Sequence, residues 1–154
     1  MPQASDFHLW VNHLPLFAFF FGLLLYFFAR KSADIRRAGL WLLVLGGLSG
    51  IPAFLSGEPI EEKVEHLPGI QHRLIEEHEE WGERAVWMGG ICGLMALAGL
   101  VAPIRNKEKL CGLAAALGIL AFLTMAITAH HGGDIRRQDQ TTEQAQKQQE
   151  EHEH

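Results

Sequence analysis

Charge is missing from four long stretches of this chain, and those gaps define its class. Positions 14 to 29, 38 to 57, 85 to 104 and 110 to 129 contain no Lys, Arg, Asp or Glu, although such residues make up 20% of the 154. A helix needs roughly 20 apolar residues to cross a bilayer. Four such blocks leave too little polar sequence to cover them in water, so a soluble domain is excluded. Cysteine occurs only at Cys92 and Cys111, which rules out a disulfide framework. One lies well inside the third block and the other at the start of the fourth, so both are expected to be small packing residues. Lys and Arg are absent before Arg30, so the start lacks the basic region of a cleavable signal, and the first apolar block is expected to stay in the protein. No phosphate loop, Ser-His-Asp order or strand alternation occurs. No catalytic motif is found, and whether the chain is an enzyme stays open.

What is present arranges itself around those blocks. The expectation is an all-α, integral membrane four-helix bundle over residues 1–135, with helices at about 12–30, 38–57, 72–104 and 109–131. Residues 136–154 form a polar, Gln-rich tail, expected to be disordered or a frayed helix. Basic residues in short loops mark the cytoplasmic side. Arg30, Lys31, Arg36 and Arg37 follow the first helix, and Arg105, Lys107 and Lys109 follow the third. Both termini and the acidic loop between helices two and three are therefore expected on the outer, periplasmic side of a bacterial inner membrane, with the lipid bilayer as first partner. The net charge of −5 gathers on that face and in the tail, which excludes nucleic acid as a partner.

The same topology sends all nine histidines outward. His66, His72, His152 and His154 read as incidental polar residues of an outer surface. His13 is expected in the opening turn of helix one, with Asn12 as cap and Pro15 in the first turn, which leaves His8 on a separate preceding segment. His78 heads a small-residue series of helix three that continues through Gly82, Ala85, Gly89, Gly93 and Ala96, matched in helix two by Gly46, Gly50, Ala53 and Gly57. His131 ends a polar stripe with Thr124 and Thr128 on helix four. Trp81 and Trp87 suit an interfacial belt. At about 1.5 Å per residue His78 stands some 10–15 Å above Trp87, so a tilt or an inward fold must bring it level with His13 and His131.

Imidazole combined with carboxylate suits a transition metal. His13, His78 and His131 are the expected ligands, with Glu58 first among the glutamates because it directly follows the small-residue end of helix two. His8, His130, Glu62 and Glu79 form a second tier. The spacing does not name the metal. A b-type haem is the alternative cofactor, with His13 and His131 as its axial pair. A third possibility is no cofactor, in a structural or assembly subunit of a membrane complex.

The run His8, His13, Pro15 resembles the H-P-x-x-x-H-x-P-I start of a bacterial membrane family catalogued as domain of unknown function 2231. Members look like four-helix membrane proteins, with a histidine opening the third helix and a Gly-Gly pair closing the fourth, as His78 and Gly132-Gly133 do here. The resemblance spans positions 8 to about 135. It departs at Leu9, where the family has proline, and in the long acidic loop. It implies the fold and the histidine positions but no reaction. Respiratory or other membrane proteins are the partners expected by analogy, and pairing of two copies of the chain stays open.

Overall fold

A computed structural model describes residues 4–28, 32–57, 71–101 and 103–152. Among the described residues there are four helices: α1 (Ala4–Phe28), α2 (Ala33–Leu55), α3 (His72–Val101) and α4 (Ile104–His152). Each is long and apolar enough to cross a membrane. α1 packs on α2, α2 on α3 and α3 on α4, and a lighter α1–α4 seam closes the ring.

The interior is built from close crossings of small residues, as the glycine series in α2 and α3 implies. A Cβ on Gly39 would lie 2.7 Å from the Gly22 carbonyl, and one on Gly47 would lie 2.6 Å from that of Gly89. Backbone meets backbone there, so no larger side chain fits. Between these crossings the fully buried Phe19 fills the centre, its ring 2.8 Å from where a Gly46 Cβ would stand. Leu43, Cys92 and Cys111 complete the densest part of the core. Both cysteines are free, as expected, and the Cys92 thiol donates to the Ala114 carbonyl at 3.2 Å.

The outside is as greasy as the inside. Trp87, Leu94 and Val101 on one face of α3 are 67%, 68% and 76% exposed, and Phe17, Phe21, Phe28 and Leu48 also point outward. An apolar surface this extensive belongs in lipid, because a water-soluble monomer rarely exposes more than a few hundred Å² in one patch.

Two helix ends differ from the reading of the sequence. α1 begins at Ala4 and carries Pro15 inside it, so His13 is not in an opening turn and His8 lies within the same helix. Proline here removes one bond to the carbonyl four residues back. Neighbouring helices make such a loss tolerable, and Pro15 is buried among them. α4 does not stop near residue 131 but runs on through Gly132 and Gly133 to His152. The polar segment is rich in Gln, Glu, Ala and Lys, all good helix formers. The Gln138 side chain also reaches across to accept from the Gln71 N–H at 3.3 Å, ahead of α3. At about 1.5 Å per residue α4 exceeds twice the roughly 30 Å hydrocarbon thickness, so it projects well beyond one membrane surface.

At the other end of the bundle, Arg36 of α2 lies over the Tyr26 ring of α1, 5.1 Å from its centroid, and donates to Glu108 of α4 at 3.0 Å. One guanidinium thus ties three helices together.

Candidate functional site

A cavity of about 230 Å³ opens among all four helices at the end opposite Arg36. α1 contributes Asn12, His13 and Leu16; α2 contributes Gly50, Ala53 and Phe54; α3 contributes His78, Glu79 and Gly82; α4 contributes Met125 and Thr128. Glycine creates much of this space. A Cβ added to Gly50 would meet nothing within 4 Å, and at Gly82 the nearest atom would be a Phe54 ring carbon at 3.6 Å.

His78 is held on the wall by a hydrogen bond to α4. Its Nδ1 lies 2.9 Å from the Thr128 carbonyl oxygen. A carbonyl can only accept, so Nδ1 carries the proton and donates. In the neutral ring the lone pair is then on Nε2. The height difference foreseen between His78 and the other histidines is therefore closed by packing of α3 on α4. Gly132 allows the approach, since a Cβ there would stand 3.0 Å from His78 Cε1.

His13 shares the cavity with His78, from α1, and its ring stacks on that of Phe17 at 6.2 Å between centroids. His131 is placed differently. It is not on the cavity wall; its Nδ1 is buried beside Glu77, 3.6 Å from Oε2. That distance permits ionic attraction but is too long for a hydrogen bond, so Nδ1 lacks a hydrogen-bond partner among the described residues. The pair of imidazoles sharing the cavity is thus His13 with His78, rather than His13 with His131.

The remaining candidates divide in the same way. Glu79 lines the cavity. His130 is exposed on α4, with Nε2 3.6 Å from Asp134 Oδ2, and Asp134 also pairs with Arg137. Glu58 and Glu62 lie outside the described residues, as does the side chain of His8. Among the described residues no three His, Cys, Asp or Glu side chains form a group able to hold a metal ion.

The polar stripe of α4 turns inward as expected, but its hydroxyls are already used. Thr128 Oγ1 donates to the Thr124 carbonyl at 3.0 Å, and Thr124 Oγ1 to that of Ala121 at 2.9 Å. What Thr128 offers across the helix pair is its carbonyl. Asn12, read from the sequence as a helix cap, lies inside α1 and lines the cavity, and Glu77 and Met125 were not singled out from the sequence. Glu77 is one of nine glutamates between positions 58 and 83 with nothing local to distinguish it. Met125 stands one turn before Thr128 on the same stripe, and that spacing was the available signal.

Comparison with family models, with curated proteins and with solved structures finds no match for this chain. The fold itself defines the class: a multi-pass membrane protein built as a four-helix bundle, with a histidine-bearing cavity at one end.

Proposed function

We propose that the chain is a metal-binding module of a bacterial inner membrane, with its cavity at the periplasmic end and a transition metal ion held there by His13 and His78. The observation that carries this reading is the His78 Nδ1 bond to the Thr128 carbonyl. Metal-ligating histidines characteristically donate their other ring N–H to a backbone carbonyl or carboxylate, which fixes the tautomer and raises the basicity of the ligating nitrogen. Glu79 supplies a carboxylate to the same cavity. Bound there, the ion would offer Lewis-acid or one-electron chemistry at the outer membrane surface. The basic residues near the opposite end, Arg36, Arg37, Arg105, Lys107 and Lys109, support the orientation.

Size favours an ion over the alternative haem. A cavity of about 150 Å³ holds one benzene. At about 230 Å³ this one has room for a single ring or an ion with several waters, but not for a four-pyrrole macrocycle. The test uses the full chain purified in detergent, stripped of metal, and loaded separately with Zn(II) and with Cu(I) under reducing conditions. Wild type is expected to retain about one equivalent of at least one ion, and His78→Ala to lose it at unchanged helicity. If wild type retains neither, the metal reading falls and the His78–Thr128 bond is left as an α3–α4 tie in a structural subunit.

A further inference from the structure

We infer that the end of the bundle opposite the cavity is a docking surface for anionic phospholipid headgroups. Its charges are arranged unlike those at the cavity end, where Arg73, Arg84 and Arg137 each pair with a carboxylate one turn away on the same helix. At the opposite end Arg36 draws in Glu108, the acid near the start of α4, and holds it at 3.0 Å. The carboxylate that could have neutralised its neighbours Lys107 and Lys109 is thus already used. Arg37, Arg105, Lys107 and Lys109 form no ion pair among the described residues, and Asp34 is the one unpaired carboxylate described beside them.

These cations stand at the border of the lipid-facing surface. Arg37 lies one turn before Trp41 and Lys109 one turn before Leu113, and both apolar side chains are 49% exposed. Residues four apart share a helix face, so each cation sits directly above a side chain turned to lipid. Tryptophan is favoured at the depth of the headgroups, which places Arg37 among their phosphates. Lys107 and Lys109 point about 100° to either side of Glu108, so the Arg36–Glu108 contact leaves them flanking the junction of α2 and α4. Their aliphatic stems can lie on the apolar surface while the ammonium groups reach outward. A zwitterionic headgroup brings its own cation, whereas an anionic one brings an uncompensated phosphate, and the unpaired charge selects the second. This inference does not depend on whether the cavity holds a metal.

The test reconstitutes the full chain in phosphatidylcholine vesicles containing a minority of phosphatidylglycerol, with bromine on the acyl chains of one lipid or the other. Both leaflets have the same composition, so the direction of insertion does not matter. Bromine quenches tryptophan on contact. A chain that keeps Trp41, with Trp10, Trp81 and Trp87 changed to Phe, therefore reports which lipid sits beside Arg37. A cation near the membrane surface is worth about fivefold in attraction to anionic lipid, so Trp41 should show a preference for phosphatidylglycerol of about that size or more. High salt should weaken it. Adding Arg37→Gln, Lys107→Gln and Lys109→Gln together should bring the ratio of the two affinities to about one. Equal quenching by the two lipids before any cation is changed overturns the inference, and this readout does not depend on the triple variant folding. A preference that survives unchanged in the triple variant, at unchanged helicity, also overturns it, because these cations would then not be its source.

Discussion

His78 on α3 and Thr128 on α4 are joined by a hydrogen bond of 2.9 Å from ring nitrogen to backbone carbonyl oxygen. The acceptor is main chain, so the tautomer it sets does not depend on the identity of residue 128. Nitrogen NMR of histidine-labelled protein should find the neutral His78 ring protonated at Nδ1, in wild type and in Thr128→Val alike. A ring protonated at Nε2 instead would remove the lone pair that the metal reading needs.

The glycines of α2 separate space that is needed from space that is spare. A Cβ at Gly47 would strike the Gly89 carbonyl at 2.6 Å, a contact neither backbone can avoid without moving. Gly47→Ala should therefore destabilise the bundle by about 1–3 kcal/mol, as overpacking a tight interior does. Gly50, one turn later, has nothing within 4 Å of its Cβ position and lies on the cavity wall. Gly50→Leu should leave helicity and unfolding temperature at or above wild type, since glycine costs about 1 kcal/mol in a helix interior. It should also lower metal retention by filling the cavity. Retention equal to wild type in Gly50→Leu would show that the ion sits elsewhere.

Topology can be tested without any ligand. In a background lacking Cys92 and Cys111, single cysteines at Ser32 and Asn106 should be shielded from an impermeant reagent added outside intact cells. One at the exposed Gln71 should be labelled. The reverse pattern would turn the cavity towards the cytoplasm and remove the periplasmic assignment.

The bundle itself was legible because lipid imposes simple rules. Charge-free blocks of membrane length and glycine series at helical spacing require little context, and both are realised in α2 and α3. The ends were less legible because they depend on neighbours. Pro15 reads as a helix start in isolation, yet the packed bundle carries α1 through it. The pair Gly132-Gly133 reads as a stop, yet α4 continues because α3 runs alongside and Gln138 meets Gln71. The candidate site was half legible. His13 and His78 stood out as polar groups at apolar helix ends, whereas His131 carried the same local signal and turned towards Glu77. A rotation of a few tens of degrees about the α4 axis decides between cavity and flank, and no single-helix pattern fixes it. Met125 had only its one-turn spacing from Thr128 as a signal, and a core methionine in an apolar run can show the same spacing, so the cavity beside it had to be known first.

Gly132 and Gly133 provide the sharpest comparison between fold and site. Adjacent in sequence, they point about 100° apart around the helix: a Cβ on Gly132 would lie 3.0 Å from His78 Cε1, while one on Gly133 would meet nothing within 4 Å. Gly132→Ala must therefore displace the His78 ring by a few tenths of an ångström, which lengthens or bends its bond to Thr128. Loss of such an orienting bond costs about 10–100-fold in metal affinity. Metal titration of the two variants should show that loss for Gly132→Ala and affinity within about twofold of wild type for Gly133→Ala, with both chains equally helical because alanine favours a helix over glycine. Equal affinities would mean that the contact between α4 and the His78 ring plays no part in holding the ion, and the orientation of His78 would then have to come from α3 alone.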